Sequence, residues 1–329
     1  MKKVTISLVT YNSARYLPDL CDSLRSQTFV DWDLIVVDNN SFDASASIMR
    51  EQFPGAKVVT QKANLGFARA HNMIIGWSRA PYVLVINPDI VMKRDCLETL
   101  VAAMDSYEDA AEVGGKLLYW DIDTHTTTEL IDSFGLAISA NYKVSDRLQG
   151  ERDRPAENQA VFGISGALAL LRREALEAVR IPRGSGYEYF DEDFFAYKED
   201  VDLAWRLVSA GWKNYFIPDA VAYHHRSIAG TRASWNDRKQ RSEINRYSYR
   251  NHALMVYKNQ SWRLTIRHLM RVVWFETGKF IYLLALDGSS VRGLYEAIRL
   301  LPRFARKRRY ARKQRRAQPR EFPQWFHTA

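Results

Sequence analysis

The length and composition of the chain are those of a globular protein with one large domain and an appendage, or with two domains. It has 329 residues, of which 47% are hydrophobic and 12% aromatic, so a disordered chain is excluded. The formal net charge of +9 is unevenly distributed, because residues 301–320 contain ten Lys or Arg and no acidic residue. Elsewhere 37 basic residues face 38 acidic ones, so the basic character belongs to a C-terminal tail.

Cysteine use and the apolar segments indicate where the protein works. Cys21 and Cys96 are the only cysteines, and they show neither metal-binding nor disulfide spacing, which favours a reducing cytoplasmic compartment. The apolar stretch at residues 4–9 is too short for a secretory signal. The most apolar late segment, residues 264–286, contains Arg, His, Glu and Lys and is not expected to span a membrane.

The first ninety residues alternate short β-rich runs with helical patterns. Strands are predicted at residues 4–9, 34–37, 57–59 and 82–86. Helices are predicted between them, over residues 17–24, 44–53 and 67–78. This repetition predicts an α/β fold, with a mostly parallel, Rossmann-like sheet flanked by helices. A polar insertion extends to about residue 160, after a further helix at residues 95–106.

Polar residues close each of the four predicted strands. The four endings are Thr10-Tyr11-Asn12, Asp38-Asn39-Asn40-Ser41, Asn64-Leu65-Gly66-Phe67 and Asn87-Pro88-Asp89. One such ending is an ordinary turn signal. Four of them at the carboxyl edge of one parallel sheet predict a polar ligand site. The sequence has neither a P-loop nor a Gly-x-Gly-x-x-Gly motif after the first strand, which argues against a P-loop kinase and a nicotinamide enzyme.

The segment from Tyr189 to Arg206 contains six carboxylates, and five aromatic rings precede the predicted helix within it. Carboxylates in an apolar setting are costly to bury unless a cation, a hydrogen-bond donor or a reacting proton compensates them, which favours a functional cleft. The alternative is a solvated helix start, with acids near the positive end of the helix dipole. Asp202 and Arg206 lie four residues apart and fit a structural ion pair.

Seven motifs in a fixed order carry a resemblance to a known family over about residues 3–260. They are Val9–Asn12, Val37–Ser41, Asn64–Asn72, Asn87–Asp89, Gly166-Ala167, Asp191–Arg206 and Pro218–His224. In this order they resemble the family 2 glycosyltransferases of GT-A fold. Within that family the chain is similar to the rhamnosyltransferase-like bacterial enzymes that build cell-surface polysaccharides.

The resemblance implies that a nucleotide-activated sugar lies across the strand ends. The implied donor-site residues are Thr10, Asn12, Asp38, Asn40, Asn64, Gly66, Asn87 and Asp89. Asp38 would accept a hydrogen bond from the N3–H of a uracil or thymine ring. Asn64 and Gly66 would let the backbone approach the nucleotide sugar.

The resemblance also implies a divalent cation at Asp89, the last position of the family's Asp-x-Asp element. Asp89 would bind Mg²⁺ or Mn²⁺ with His224 as a second ligand, and the cation would neutralise charge that develops on the diphosphate. Asn87 stands where many members have Asp, which predicts a loosely held ion. Neighbouring strand residues face opposite sides, so either His224 or His225 is expected at the metal, and a core or solvated histidine is the alternative for each.

For catalysis, the resemblance implies that one carboxylate of the Glu199-Asp200 pair takes the proton of the acceptor hydroxyl. The sugar is attacked from the face opposite the diphosphate, in a single displacement with inversion. Asp200 is the preferred base and Glu199 positions the acceptor, with the reverse assignment left open. Asp191 and Glu192 are the expected acceptor contacts, and Asp193 is a third candidate. At least one of the three is expected to lie in a solvated loop.

The chain is expected to divide into a glycosyltransferase domain at residues 1–250, an amphipathic helical region at residues 251–300 and a basic tail at residues 301–329. The helical region suits either a membrane interface or a subdomain packed on the catalytic core. The tail favours an anionic membrane surface, and nucleic acid is the less favoured partner. Removal of residues 301–329 is expected to leave a competent catalytic domain.

These expectations describe an inverting hexosyltransferase bound peripherally to the cytoplasmic face of the plasma membrane. The resemblance favours transfer of L-rhamnose from dTDP-rhamnose to a lipid-linked saccharide or oligosaccharide acceptor. One alternative is a UDP-sugar donor that carries galactose or N-acetylglucosamine. Another is a non-catalytic protein that binds nucleotide-sugars or polyanions. The Glu199-Asp200 pair favours the enzyme, because a binding protein needs no base beside an acceptor.

Overall fold

A ten-stranded mixed sheet forms the centre of the protein. The computed structural model describes residues 1–225, 235–261, 288–316 and 322–327, together with residues 270, 273, 274, 277 and 278. The helices are α1 (Leu17–Arg25), α2 (Ser45–Gln52), α3 (Gly66–Trp77), α4 (Cys96–Ser106), α5 (Arg173–Val179), α6 (Glu199–Ser209), α7 (Trp235–Asn259) and α8 (Gly288–Gln314).

The strands belong to three sheets. Those of the large sheet are β1 (Val4–Thr10), β2 (Trp32–Asp38), β3 (Lys57–Thr60), β4 (Tyr82–Ile86), β5 (Ile90–Met92), β6 (Ala110–Asp121), β7 (Thr126–Ser133), β10 (Gln159–Val161), β11 (Leu168–Arg172) and β14 (Lys213–His224). Two small sheets are formed by β8 (Leu136–Ser139), β9 (Val144–Asp146) and β15 (Phe326–His327), and by β12 (Ile181–Arg183) and β13 (Gly186–Glu188).

Four parallel strands form one half of the large sheet, in the order β3-β2-β1-β4. Helices α1, α2 and α3 connect them in the predicted alternation. The second half begins with β11, which is antiparallel to β4, and continues through β6, β14 and β10. The predicted α/β fold with a parallel sheet is therefore confirmed. The polar insertion supplies β7, β8 and β9.

Apolar strand residues pack against helices on the two faces of the sheet. Val4, Ile6 and Leu8 of β1 lie in one buried cluster with Leu17 and Leu20 of α1. All five residues of β4 are buried. A strand that is covered on both faces is expected to be a continuous apolar run, which explains why β4 shows no alternation of polar and apolar residues.

The strand register brings the predicted polar endings together. Thr10 at the end of β1 pairs with Asp38 at the end of β2. Farther along the sheet, β5 pairs with β14 so that Ile90 lies opposite His224. This pairing places Asp89, the residue before β5, beside the end of β14. A slip of one residue would turn buried side chains toward the other face, so core packing fixes these neighbours.

Helices α7 and α8 pack against each other and against α6. Leu254 of α7 and Phe304 of α8 are buried in one cluster with Trp205 of α6. The predicted boundaries at residues 250 and 300 fall inside α7 and α8, so the structure does not divide the chain there. Of the two predicted alternatives, a subdomain packed on the catalytic core fits α7 and α8 better than a helix in a membrane interface. Most of residues 262–287 lie outside the described residues. Among the described helices, none combines the length and apolar character required to cross a membrane.

Much of the basic tail is helix with one face buried. Phe304, Lys307 and Ala311 of α8 are buried, and Lys307 contacts the carboxylates of Glu188, Asp191 and Asp193. Removing one partner of a buried ion pair costs about 3–5 kcal/mol of folding free energy. This packing contradicts the expectation that residues 301–329 can be removed without harm to the catalytic domain.

Candidate active site

Hydrogen bonds around Asp38 hold the ends of β1 and β2 together. Its Oδ1 accepts from Thr10 Oγ1 at 2.9 Å and from Ser41 Oγ at 2.5 Å. Its Oδ2 accepts from the Ser41 amide at 3.1 Å. Asp38 is 1% exposed, so in this structure it first of all organises the two strand ends.

The loops that follow β1 and β2 also bind each other. Asn12 and Asn40 both have left-handed backbone, with φ of 50° and 64°, which asparagine tolerates better than most residues. Asn12 Oδ1 accepts from the Phe42 amide at 2.9 Å, and the Asn12 amide donates to Ser41 Oγ at 3.0 Å. Two rings are exposed at this rim, Tyr11 at 45% and Phe42 at 84%. Sequence reasoning missed them, although an aromatic residue beside a polar strand end was a usable signal.

Gly66 begins α3 and lies against the loop at residues 189–198, which we call the acidic loop. Its amide donates to Asn64 Oδ1 at 2.8 Å. Its φ is +77°, and an added Cβ would overlap the carbonyl oxygen of Phe195. The Phe67 amide donates to that same oxygen at 2.7 Å. The acidic loop therefore makes a close approach that itself requires glycine at this position, and the approach of a nucleotide sugar to Gly66 stays a prediction.

His224 lies between two carboxylates at the end of β14. Its Nε2 is 3.3 Å from Asp89 Oδ2, and its Nδ1 donates to Asp132 Oδ2 at 2.7 Å. His224 and Asp132 are both buried. Burial alone would lower the pKa of His224, but the hydrogen bonds and charges of Asp132 and Asp89 raise it to about 9. The imidazole is therefore held in a fixed orientation, with one nitrogen directed at Asp89.

His225 directs its ring away from Asp89. Its Nδ1 lies 3.1 Å from the Trp120 carbonyl oxygen and 3.2 Å from the Ile122 amide. Over the residues described, no group of three His, Cys, Asp or Glu side chains is arranged to hold a metal ion. Asp89 and His224 could provide two ligands, a number that would suit a divalent cation with its other ligands from phosphate oxygens and water.

A cavity of about 590 Å³ extends from His224 to the start of α6. Its lining includes Asn87, His224, Glu199 and Asp200. Asp200 Oδ2 accepts from the Gly166 amide at 3.1 Å, and Asp200 Oδ1 accepts from the Val201 amide at 2.7 Å. Two backbone donors therefore orient the Asp200 carboxylate within the same cavity as His224.

Glu199 and Asp200 lie in different environments. Glu199 is buried, and burial together with the adjacent Asp200 raises its pKa to about 8. The Glu199 carboxyl is therefore mostly protonated at neutral pH, and a protonated carboxyl cannot act as a base. Asp200 is only partly buried and lines the cavity. This contrast favours Asp200 over Glu199 as a proton acceptor.

The predicted acceptor residues Asp191 and Glu192 bind protein cations instead. Asp191 is fully buried, lies 2.5 Å from Lys258 Nζ and contacts Lys307. Burial alone would raise the pKa of Asp191, but the two lysines hold it well below its usual value. Glu192 lies 2.9 Å from Arg183 Nε. These pairings correct the prediction, because carboxylates engaged by protein cations are not free to bind an acceptor.

Several residues at the site carried little or no signal in the sequence. Asp132 comes from the polar insertion, where no periodic pattern marks it. Glu112 of β6 accepts from the Ile164 amide at 3.3 Å, and burial raises its pKa to about 8. Lys307 stands within a run of basic residues. Its usable signal was its helical spacing from Phe304 and Ala311, the apolar residues of the buried face.

Comparison with solved structures identifies the class of protein. The mannosyltransferase PcManGT from Pyrobaculum calidifontis, solved with GDP-Man and Mn²⁺, matches with a TM-score of 0.56 and 16% sequence identity. The match covers 95% of this chain and 86% of that chain. The fold is accordingly the GT-A fold of glycosyltransferases. Residues 5–180 match the model of glycosyl transferase family 2, and the chain belongs to that family.

Curated relatives include enzymes of polysaccharide biosynthesis. An N-acetylglucosaminyl-diphospho-decaprenol L-rhamnosyltransferase of Mycobacterium tuberculosis is 28% identical over 240 residues, which are 67% of this chain and 75% of the relative. The amylovoran biosynthesis glycosyltransferase AmsB of Erwinia amylovora is 25% identical over 236 residues, 68% of this chain and 71% of the relative. The protein is therefore a glycosyltransferase similar to enzymes that assemble bacterial polysaccharides.

Replacement of Glu199 by Gln is expected to make stability less dependent on pH. The folded-state pKa of Glu199, about 8, is above the ordinary value of 4.5, so its contribution to stability is complete below about pH 4.5 and is lost as pH rises through about 8. Wild-type protein should lose stability relative to Glu199→Gln over that interval, by at most about 1.4 kcal/mol per pH unit. Urea unfolding across the interval measures the difference. Glu51→Gln, on the exposed side of α2, is the control, and a difference that does not vary with pH contradicts the prediction.

Proposed function

We propose that the protein is an inverting glycosyltransferase that transfers L-rhamnose from dTDP-rhamnose to a lipid-linked saccharide at the cytoplasmic face of the plasma membrane. The observation that carries the catalytic part is the cavity shared by Asp200 and His224. The choice of rhamnose is supported by 28% identity to the mycobacterial relative, whose name specifies L-rhamnose and a diphospho-decaprenol acceptor.

The donor nucleotide is proposed to lie across the ends of β1 and β2. The exposed rings of Tyr11 and Phe42 offer faces on which a base can stack. Asp38 Oδ2 accepts one hydrogen bond from the protein, so a lone pair remains for the N3–H of a thymine or uracil ring. Thr10 and Asn12 keep these groups in place through the hydrogen bonds that join the two strand ends.

Asp89 and His224 are proposed to hold Mg²⁺ or Mn²⁺, with Asp132 fixing the orientation of the imidazole. When bound, the cation supplies positive charge that stabilises the leaving diphosphate. The Mn²⁺ of the mannosyltransferase complex supports a divalent ion for this fold. Asn87 lines the cavity beside His224 and contributes no charge, consistent with an ion held largely by the substrate.

Asp200 is proposed to take the proton from the acceptor hydroxyl as that oxygen attacks the anomeric carbon. The amides of Gly166 and Val201 hold the carboxylate in position at the wall of the cavity. Glu199 keeps its proton at neutral pH and is proposed to position the acceptor by donating a hydrogen bond. The reaction needs one base and no covalent nucleophile, which agrees with inversion.

The membrane-facing surface is proposed to be the exposed side of α8. Basic side chains there include Arg306, Arg309 and Arg312, and the same helix exposes Tyr295 at 58% and Ile298 at 56%. Basic residues attract anionic lipid with about 1 kcal/mol each near the surface, while aromatic and aliphatic groups suit the headgroup region. This surface would bring the cavity close to a lipid-linked acceptor.

A panel of donors is expected to show release of dTDP from dTDP-rhamnose in the presence of a short-chain N-acetylglucosaminyl-diphospho-polyprenol. Detection of free nucleoside diphosphate scores each donor, and UDP-galactose and UDP-N-acetylglucosamine form the matched set. If only a UDP-sugar supports turnover, that UDP-sugar would replace dTDP-rhamnose as the proposed donor. Binding of nucleotide-sugars without any turnover would favour the non-catalytic alternative.

Asp200→Asn is expected to lower kcat by about 10²–10⁴-fold, because the amide cannot accept the hydroxyl proton. The donor Kd from calorimetry should stay within about twofold, since the nucleotide residues are untouched. Glu199→Gln is the matched comparison and should lose much less activity, because Glu199 is already neutral. The opposite ranking of the two variants would assign the base to Glu199.

Asp132→Asn is expected to weaken Mn²⁺ binding about 10–100-fold in the presence of dTDP, because the imidazole of His224 loses the carboxylate that orients it. Titration calorimetry and the electron paramagnetic resonance signal of free Mn²⁺ both report this affinity without turnover. Asp22→Asn, at an exposed position of α1, controls for loss of a carboxylate. If wild type, Asp132→Asn and Asp22→Asn bind Mn²⁺ equally well, Asp132 does not support a metal ligand, and the assignment of His224 as that ligand is contradicted.

A further inference from the structure

We infer that α7 and α8 position the catalytic pair through a set of side chains that we call the C-terminal clamp: Arg250, Asn251 and Lys258 of α7, and Lys307 of α8. The clamp residues contact the acidic loop, which precedes Glu199, and Asp202 in the first turn of α6, which follows Asp200. The inference rests on the proposed role of Asp200 as base, and it assigns a catalytic purpose to a region whose sequence indicates membrane binding.

The acidic loop needs external support because of its backbone conformation. Phe195, Tyr197 and Lys198 have φ of 67°, 70° and 75°, and none of them is glycine. Side-chain-bearing residues rarely adopt this region, and they remain there only when the surroundings enforce it. Three such residues within four positions lead directly into Glu199, so the location of the catalytic pair depends on what enforces this path.

Asn251 and Arg250 bind the carbonyl oxygens that this path exposes. Asn251 Nδ2 lies within hydrogen-bond distance of the oxygens of Phe194, Ala196 and Tyr197, at 3.0, 2.8 and 2.7 Å, and its side chain is fully buried. Arg250 Nη2 donates to the Phe194 oxygen and to that of Asp193, both at 3.0 Å. Buried carbonyls require such donors. Two adjacent residues of α7 therefore supply the hydrogen bonds that a regular element would have provided within itself.

Lys258 and Lys307 bind the loop through charge. Lys258 Nζ is 2.5 Å from Asp191 Oδ2 and 2.8 Å from Asp202, and both carboxylates are fully buried. Lys307 Nζ contacts Asp191 and is 2.6 Å from Glu188 Oε1. Loss of a cation from among buried carboxylates would leave their charge uncompensated and away from water, which is costly. The lysines thereby fix residues on both sides of the catalytic pair, since Asp191 precedes it and Asp202 follows it.

The other side of the loop is held by the donor half of the protein. The Phe195 oxygen accepts from the Phe67 amide at the start of α3, as described above. The active-site cavity is also lined by Ile244 and Ser248 of α7. The acidic loop is thus enclosed between α3 and the C-terminal helices, and a displaced clamp would move Asp200 relative to the donor. A displacement of about 1 Å is enough to lower a reaction rate about 100-fold.

Asn251→Ala and Lys307→Met test the clamp, and Arg79→Gln is the matched control. Arg79 is exposed in the loop between α3 and β4, so the control removes the same formal charge as Lys307→Met without touching the acidic loop. With dTDP-rhamnose and the short-chain acceptor, we expect kcat of both clamp variants to fall about 10–100-fold. Donor Kd and binding stoichiometry should remain near those of wild type. Arg79→Gln should keep its kcat.

Hydrogen exchange of the amides at residues 194–198 provides a readout that does not depend on turnover. Exchange should accelerate there in both clamp variants while that of β1 and β2 stays unchanged, and Arg79→Gln should resemble wild type. A general loss of stability would instead raise exchange everywhere and lower kcat in proportion to donor-binding stoichiometry, and that result would overturn the inference. So would unchanged kcat with unchanged exchange. Arg250→Gln is the milder variant if Asn251→Ala does not fold.

Two further comparisons separate this inference from the proposed function. If wild type transfers no sugar from any donor, the proposed reaction fails, while exchange of the acidic loop still tests the clamp. Lys307→Met should retain binding to vesicles that contain anionic lipid, whereas a double variant with Arg306→Gln and Arg309→Gln should bind them less. If Lys307→Met loses vesicle binding and keeps its kcat, Lys307 belongs to the membrane-binding surface and its assignment to the clamp is refuted.

Discussion

The burial of three carboxylates, those of Glu188, Asp191 and Asp202, is the constraint on which much of this structure depends. Each of the three residues is 0% exposed, and an isolated buried charge is too costly to keep. The cations beside them include Lys258 in α7 and Lys307 in α8, which are distant in sequence, and the nearby Arg206. Buried ion pairs therefore join the C-terminal helices to the acidic loop and to α6.

Buried charge is also compensated at His224, which lines the cavity. His224 lies between Asp89 and Asp132, and these three residues come from separate parts of the chain that meet through the pairing of β5 with β14 and of β6 with β7. In the proposed site, the parallel half of the sheet provides the donor edge, and the mixed half provides the histidine and its supporting carboxylate. The cavity lies where the two halves meet, close to β4 and β11.

The sequence predicts those parts of the protein that follow from local pattern. The parallel strands and their helices have the expected periodicity, and the motifs around Asp89 and Asp200 are contiguous. Asp132 lies in β7, but it was not predictable, because the sequence of the polar insertion shows no periodic pattern that marks this strand. Asp191 was assigned to the wrong partner, since an acidic cluster in an apolar segment does not reveal whether substrate or lysine compensates it. Lys307 resembled a surface charge because its neighbours in the basic run are exposed.

In the proposed metal site, the position of His224 would link metal binding to proton release. Without a cation the imidazole, with a pKa of about 9, is positively charged at neutral pH and offsets part of the charge of the two carboxylates beside it. A metal ligand must be the neutral form, so a divalent cation bound there would displace a proton from the ring. Affinity for the cation would then increase as the solution becomes more alkaline. Cation binding would in this respect be an ion exchange, in which either the proton or the metal supplies positive charge between Asp89 and Asp132.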